Sequence, residues 1–482
     1  MSLTKKVAYN FSVQIAGKFV NTIIGLVNVA IIVRYLGVAG YGDYTTAFAY
    51  MTFFSAISDF GFFWVIVRRI TAGQDESTIV RNITTIRLIF SSVVFLSALA
   101  LLAFLPYSPQ LKTIVVLGAL SILWSSQTSV YTALFQSKLK MDLATISEIV
   151  GRTVAMLLII LAAKLNLGLV CVMGASIFGT FLIFLLSFLF SLRFARPSFG
   201  VDWKFAKKFM LEALPIGIIS ILGLIYFKTD TLILSIFKTS TDVGIYGTPY
   251  KILEILMATP LMFFGSVFPA LTSAFESKDN TKITTLFQKS FDLLSIGAFA
   301  VVAMVLSLAK PITNVIAGDE YLSASTISFA GRAITSDIVL QILIFAVGLS
   351  FLNALFTNSV VIFGKQKNLI FPYSLATIFN LSANFLLIPK FSYLAAALNT
   401  VITEIIILVS CYMIMKKELP VKLSFSSFFK SFIVAVVVSV ILYCVRSLSI
   451  FVTIPLGMAV FILGLYCLRI VEINILKNLL RD

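Results

Sequence analysis

The sequence predicts an all-α polytopic membrane protein with about fourteen transmembrane helices. Apolar residues make up 59% of the 482 residues and charged residues only 12%, whereas soluble domains are about 25% charged. The mean hydropathy is +1.03. Unbroken apolar runs such as 90–105 and 432–443 lack the period-two alternation of barrel strands. Helices satisfy their own backbone hydrogen bonds in lipid, so these runs indicate helices.

The apolar runs give the order of the helices along the chain. The first run follows Lys5 and Lys6 but is too long for a signal peptide and lacks a small-residue cleavage site, so we expect a retained helix. The predicted ranges are 11–33, 44–66, 83–105, 113–135, 144–163, 168–192, 213–237, 244–269, 286–309, 335–358, 368–388, 393–415, 428–446 and 449–470.

The distribution of basic residues predicts the orientation, because Lys and Arg accumulate in cytoplasmic connections. With both termini inside, the inner connections carry 25 basic residues and the outer ones 8. The net charge of +16 therefore reflects the membrane topology, together with some attraction to anionic lipid. It does not require binding to nucleic acid. We expect a multi-pass protein of the cytoplasmic (inner) cell membrane. The outer set is Arg34, Lys112, Lys164, Lys238, Lys310, Arg332, Lys390 and Arg446.

Two parts of the chain resemble each other and predict a duplication. Arg34–Gly37 followed by Tyr41 and Gly42 is echoed by Ile236–Lys238 followed by Tyr246 and Gly247. Parallel six-helix repeats are an arrangement that carriers use, with the substrate between the halves. The predicted parts are an N-terminal six-helix bundle (1–192), a cytoplasmic amphipathic linker lying on the membrane (193–212), a C-terminal six-helix bundle (213–420), and helices 13 and 14 with a cytoplasmic tail (421–482).

Polar residues inside the apolar runs are the first candidates for a functional site. A Lys or Asp at mid-bilayer costs about 2.5–3.5 kcal/mol and normally faces a protein interior or a wet cavity. Helix 1 carries a stripe at helical spacing that lines a cavity or packs on another polar helix. In the alternative, its lysine is structural and snorkels to the interface. The stripe consists of Gln14, Lys18, Asn21, Gly25 and Asn28.

Further ionic residues lie in predicted helices 5, 7 and 8. Helix 7 is expected to begin near Pro215, and a polar turn at 238–243 precedes helix 8. In helix 7, Lys228 and Asp230 are two apart and point to different sides. They face a cavity and helix 8 respectively, or else belong to a structural ion network near the outer interface. Two spacings allow ion pairs, Lys251 with Glu254 and Glu148 with Arg152. We expect the second to be a structural pair, and a binding role is the alternative.

The chain contains no histidine and no nucleotide-binding Walker pattern. Proton coupling would therefore run through carboxylates, Lys or Tyr, and ATP hydrolysis by this chain is not expected. The ion-coupling candidates are Asp59, Asp230, Glu254 and Asp337. We predict no cofactor, with H⁺ or Na⁺ as the coupling ion.

Three segments together resemble the polysaccharide-biosynthesis flippases: Arg34–Tyr44, Lys228–Leu234 with Val243–Tyr246 after it, and the Gly318–Tyr321 loop. These are the Wzx-type oligosaccharide-lipid exporters of the multidrug/oligosaccharidyl-lipid/polysaccharide (MOP) superfamily. The resemblance implies two bundles around a cationic cavity that binds the phosphate or pyrophosphate of a polyprenyl-linked oligosaccharide, such as an O-antigen precursor. The cavity would open alternately to either side, with H⁺ or Na⁺ coupling.

Carried onto this sequence, the cavity cations would be Lys18, Lys228, Lys251 and Arg152, with Asn21 and Asn28 beside them. Similar proteins often have arginine where this chain has Lys18 and Lys228. Arginine can bind a phosphate in bidentate fashion, whereas lysine offers only a point charge. The implied partners are the lipid-linked oligosaccharide, membrane lipids, and polymerases or glycosyltransferases of the same pathway. The protein is expected to be a monomer and not an enzyme.

Two rival functions belong to other classes. A cation-coupled multidrug (MATE-like) antiporter of the same superfamily would usually have twelve helices, and predicted helices 13 and 14 argue against it. A membrane glycosyltransferase would be expected to carry acidic residues in a sizeable external loop, where this chain offers only Asp319 and Glu320.

Overall fold

The computed structural model describes residues 3–73, 75–195, 199–277, 279–418, 423–446 and 448–470. The predicted tail from residue 471, and Arg196 and Pro197 of the predicted linker, lie outside these ranges. The described helices, in chain order, are α1 Leu3–Asp59, α2 Phe62–Thr71, α3 Glu76–Phe104, α4 Pro109–Ala119, α5 Ser121–Ser137, α6 Met141–Lys164, α7 Gly168–Ser191, α8 Trp203–Phe237, α9 Ser240–Glu276, α10 Asn280–Ala317, α11 Glu320–Ser323, α12 Ser336–Ile362, α13 Ile370–Glu418, α14 Ser426–Cys444 and α15 Ile450–Cys467.

Eleven segments of the described chain are long and apolar enough to cross a membrane. Two of the longest helices contain a kink, at Gly37 of α1 (φ 66°) and at Ser392 of α13 (φ 49°). Predicted helix 1 and most of predicted helix 2 fall in α1, and the end of predicted helix 2 falls in α2. Predicted helices 11 and 12 fall in α13 apart from residues 368 and 369. The all-α polytopic fold class is confirmed, while the number of fourteen crossings stays a prediction.

The chain forms two compact units, Met1–Gly244 and Ile245–Asp482. In the first unit, one apolar cluster contains Phe62, Phe135 and Phe209, so the beginning of α8 packs against α2 and α5. In the second unit, an apolar cluster joins α10 to α14 and α15 through residues such as Leu308 and Leu442. The division into six-helix repeats at the predicted boundaries stays a prediction.

The segment before predicted helix 7 is itself helical. Asp202 caps α8, because its Oδ1 accepts the backbone N–H of Lys204 at 2.8 Å and of Phe205 at 3.4 Å. The helix then continues through Pro215 to Phe237. The predicted helix start at 213 was therefore wrong.

Two further local differences concern connections. Helix α9 begins at Ser240, so the predicted turn at 238–243 shrinks to Lys238 and Thr239. The loop after α11 contains a small antiparallel hairpin of β1 (Ser328–Phe329) and β2 (Arg332–Ala333). Its two turn residues have φ of 50° and 76°, as a type I′ turn requires. The sequence analysis predicted helices only, so this hairpin was not expected.

Two glycines allow a close backbone contact within the first unit. A Cβ atom added to Gly42 would lie 1.7 Å from the carbonyl oxygen of Ser240, and one added to Gly244 would lie 2.0 Å from the carbonyl oxygen of Val38. The two contacts are reciprocal, since each joins a residue near the first glycine to one near the second. Any side chain at either position would have to push a backbone segment away.

We expect Gly42→Ala and Gly244→Ala each to destabilise the protein by about 1–3 kcal/mol, the range measured for overpacked interiors. Thermal unfolding of the purified protein in detergent tests this. Gly174→Ala is the matched control, because a Cβ at this position would meet no atom within 4 Å. Equal stability of all three variants would contradict the close approach.

An ion cluster fixes the beginning of α8 to the end of α2. Glu212 accepts hydrogen bonds from Arg69 Nη2 at 2.9 Å, from Arg69 Nε at 3.2 Å and from Arg68 Nη2 at 2.6 Å. Arg69 is 5% exposed, and its guanidinium lies 4.7 Å from the ring centroid of Phe205. The hydrogen bonds from Arg69 are the main reason that the pKa of Glu212 is lowered.

Because the pKa of Glu212 is lowered on folding, the cluster stabilises the fold above the ordinary value of 4.5 and stops doing so as pH falls through the lowered pKa. We expect Glu212→Gln to unfold at a lower temperature than wild type at pH of about 6, and the difference to shrink at pH below about 4.5. The exposed Glu276 gives the control Glu276→Gln. A difference that does not change with pH would contradict this account.

Candidate functional site

The polar stripe of α1 divides into a buried part and an exposed part. Asn21 is 8% exposed, and its Nδ2 donates to Glu148 Oε2 on α6 at 2.9 Å. The side-chain oxygens of Asn21 and Asn28 are buried and have no hydrogen-bond partner among the described residues. The side chain of Lys18 is exposed, and within the described ranges this residue forms no salt bridge. The stripe thus presents one cation and two buried amide acceptors.

The predicted ion pair between Glu148 and Arg152 does not form in the described structure. The carboxylate of Glu148 accepts from Asn21 of the neighbouring helix instead. Arg152 lies exposed one turn further along α6. The interpretation as a structural pair was therefore wrong, and Arg152 remains available to bind an anion.

Lys228 and Asp230 have different environments on α8, as their spacing predicted. The ammonium of Lys228 lies 5.6 Å from the ring centroid of Phe227, and this lysine is half-buried. Asp230 is 1% exposed, and its Oδ1 accepts the backbone N–H of Thr231 at 2.9 Å. Asp230 is therefore the most deeply buried of the four candidate coupling carboxylates. The expected pairing of Asp230 with helix 8 stays a prediction.

In the second unit, the predicted pairing of Lys251 with Glu254 is confirmed. The ammonium lies 2.8 Å from Glu254 Oε2, and the two side chains are 31% and 16% exposed. Asp337 lies at the start of α12, where its Oδ1 accepts from the hydroxyl of Thr335. The pairing lowers the net charge that Lys251 can offer to an anion.

Sequence reasoning missed a buried chain of amides in the second unit. Asn399 Nδ2 donates to Asn384 Oδ1 at 2.8 Å, and Asn384 Nδ2 donates to Asn380 Oδ1 at 3.0 Å. Nearby, Asn353 Nδ2 donates to Glu404 Oε2 at 2.6 Å. The spacing of Asn380 and Asn384 by one turn in an apolar run was the available signal, because amides in lipid require partners.

Asp59, another coupling candidate, forms a salt bridge with Arg87. The guanidinium is 0% exposed and its Nη2 lies 2.5 Å from Asp59 Oδ1, while the carboxylate side is 38% exposed. Arg87 Nε also donates to Ser126 at 3.2 Å, and Ser129 donates to Asp59 Oδ1 at 2.9 Å. These contacts make Asp59 the counter-charge of a buried cation, and its predicted coupling role stays a prediction.

Because Arg87 is fully buried and Asp59 is partly exposed, removing the carboxylate should cost more stability than removing both charges. Asp59→Asn leaves the buried guanidinium without a counter-charge and should cost about 3 kcal/mol, the lower end of the range for broken buried pairs. Arg87→Met removes the buried charge itself, so the double variant should be more stable than Asp59→Asn alone. Ser129→Ala is the control and should cost about 1 kcal/mol. Denaturation in detergent measures all four, and a double variant less stable than Asp59→Asn would refute the account.

Residues 7–275, more than half of the chain, match the family model for polysaccharide biosynthesis proteins. No curated protein sequence matches the chain. Among solved structures, the lipid II flippase MurJ in an inward closed conformation is similar over 94% of this chain and 97% of its own, with a TM-score of 0.76 and 13% identity.

Two other similar structures are transporters of the MOP superfamily. An inward-facing multidrug resistance MATE family transporter covers 84% of this chain and 98% of its own, with a TM-score of 0.64 and 12% identity. A transporter from Pyrococcus furiosus covers 86% of this chain and 96% of its own, with a TM-score of 0.58 and 14% identity. The TM-scores and coverages show that the chain shares its fold with these three proteins. The match over more than half of its length shows that the chain belongs to the polysaccharide biosynthesis protein family.

Proposed function

We propose that this protein is a flippase that moves a polyprenyl-(pyro)phosphate-linked oligosaccharide from the cytoplasmic to the outer leaflet by alternating access. It acts in the cytoplasmic membrane with both termini inside, and it uses an H⁺ or Na⁺ gradient. Its partners are the lipid-linked oligosaccharide, membrane lipids and the enzymes of the same pathway. The family match and the similarity to a lipid II flippase support this proposal.

The observation that carries the proposal is the exposed lysine in the apolar first helix. Lys18 forms no salt bridge in the described chain and is not covered by protein. A lysine in such a position needs water or a counter-anion. The phosphate of a lipid-linked glycan supplies that anion, and pairing lowers the cost for both groups in a low-dielectric site.

Arg152 and Lys228 are the other basic residues of the first unit that we propose as phosphate contacts. Arg152 is exposed on α6, the helix that contacts the stripe of α1 through Glu148. Its planar guanidinium can bind a phosphate by two parallel hydrogen bonds, which a lysine cannot do. Arg152 therefore offers the bidentate recognition that lysines at positions 18 and 228 lack.

Ion coupling is assigned to Asp230. The other three candidate carboxylates, Asp59, Glu254 and Asp337, are each more exposed than Asp230. Asp230 is 1% exposed within an apolar helix. A buried carboxylate is costly to keep ionised. Binding of H⁺ or Na⁺ therefore changes the free energy of the protein more at Asp230 than it would at an exposed carboxylate.

The substrate site is tested by reconstituting the purified protein in proteoliposomes and following the transfer of a pyrophosphate-linked oligosaccharide lipid between leaflets. We expect Lys18→Ala, Arg152→Ala and Lys228→Ala each to slow transfer at least tenfold, because each removes a phosphate contact worth about 1.4 kcal/mol or more. Lys18→Arg should retain transfer, because it keeps the cation.

Lys164→Ala is the matched control, since Lys164 is an exposed basic residue at the end of α6. Transfer that survives all three alanine substitutions would move the substrate site elsewhere. If wild type transfers no lipid-linked glycan but exports cationic dyes, the multidrug antiporter becomes the better account.

The coupling proposal is tested with the same vesicles under imposed H⁺ or Na⁺ gradients. Wild-type transfer should accelerate with one of the two gradients. We expect Asp230→Asn to remove this acceleration while transfer without a gradient continues, because the uncharged amide has no negative charge for H⁺ or Na⁺ to neutralise. Glu254→Gln serves as the comparison and should retain the response, and an unchanged response of Asp230→Asn would exclude Asp230 as the coupling group.

A further inference from the structure

A separate cavity lies within the second unit, at the end that the basic-residue distribution predicts to be outside. It has a volume of about 890 Å³ and is lined by the kinked end of α10, the β-hairpin loop, the start of α12 and the end of α14. This volume is within the range of about 300–1,000 Å³ that small-molecule sites occupy. None of the predicted cavity cations lines it.

Three basic residues line this cavity: Lys310 of α10, Arg332 of the hairpin and, from a distant part of the chain, Arg446. All three are exposed and form no salt bridge within the described ranges. Outer connections are normally depleted of basic residues, and these three belong to the small outer set of this chain. Their convergence is therefore not explained by topology, and it favours an anion as the ligand.

The other lining groups favour a ligand rich in hydroxyl groups. Asp319 and Asp337 add two carboxylates, which accept hydrogen bonds from hydroxyls, and Asn314 and Gln341 add amides. Most small-molecule sites are predominantly apolar, whereas this one is largely polar and charged. A small inorganic anion would not need the two carboxylates, because they repel negative charge. A saccharide that also carries negative groups satisfies both sets of side chains.

The walls of the cavity are fixed by hydrogen bonds. Tyr393, which is fully buried, donates to the carbonyl of Ile334 beside the hairpin at 2.7 Å. Gln341 Nε2 donates to the carbonyl of Leu306 at 3.2 Å, next to the kink of α10. The guanidinium of Arg446 lies 4.1 Å from the Tyr443 ring centroid. A preformed wall of this kind reduces the entropy lost on binding.

We infer that this cavity binds an acidic saccharide, one that carries carboxylate groups, on the outer side of the membrane. The inference rests on the proposed function, since the glycan head of the exported lipid would reach this side after transfer. Arg332 and Arg446 would bind the carboxylates in bidentate fashion, and Asp319 and Asp337 would accept hydrogen bonds from sugar hydroxyls. Because Tyr443 and Arg446 line the site at the end of α14, it gives this appended helix a role in recognition.

The experiment is calorimetric titration of the purified full-length protein in phosphatidylcholine nanodiscs. The probes are a trimer of galacturonic acid, the neutral maltotriose, and glycerol 1-phosphate as the head group of an anionic lipid. We expect the uronate trimer to bind at least tenfold more tightly than either other probe. Equal binding of maltotriose would overturn the inference, and so would equal or tighter binding of glycerol 1-phosphate, which would mark a lipid head-group site.

Variants locate the binding. Arg332→Gln and Arg446→Gln should each weaken uronate binding at least tenfold at unchanged thermal stability, whereas Lys390→Gln, an exposed outer lysine away from the cavity, should have no effect. Undiminished binding by both arginine variants would place the site elsewhere and overturn the inference. Lys18→Ala separates the two proposals: loss of flipping with retained uronate binding supports both. Flipping that depends on Lys18 without any uronate binding refutes only the cavity.

Discussion

Hydrocarbon cannot solvate an ion, so each charge within the apolar helices needs either a protein partner or water. The structure divides its ionic residues accordingly. Arg87 is balanced by Asp59, and Lys251 by Glu254. Lys18 forms no such salt bridge in the part of the chain that the structure describes, and the proposed substrate would complete the balance with its own phosphate.

Much of the fold could be predicted from the sequence, because hydropathy and basic-residue distribution reflect the solvent rather than tertiary packing. The long apolar runs indicate helices whatever their neighbours are. The pairing of Lys251 with Glu254 was also predictable, since it depends only on spacing along one helix. The start of α8 was missed because Pro215 suggested a helix beginning, although the stronger signal was the capping side chain of Asp202.

The candidate site was less predictable, because partners on different helices are set by packing. Glu148 could reach Arg152 on its own helix, yet it accepts from Asn21 of α1. Arg87 is one of the 25 basic residues that the sequence assigned to the inner connections, although it is fully buried beside Asp59. Both errors arise because one-dimensional spacing gives the possible partners on one helix but not the competing ones on another.

The continuity of α8 has a mechanical consequence. The helix is fixed at Glu212 by two arginines and carries Lys228 sixteen residues further on, a distance of about 24 Å along the axis. Over that length a tilt of about 5° moves the far end by about 2 Å. A lever arm of this length would turn a small rearrangement of the Arg68–Arg69–Glu212 ion cluster into a displacement at the lysine comparable to the length of a hydrogen bond.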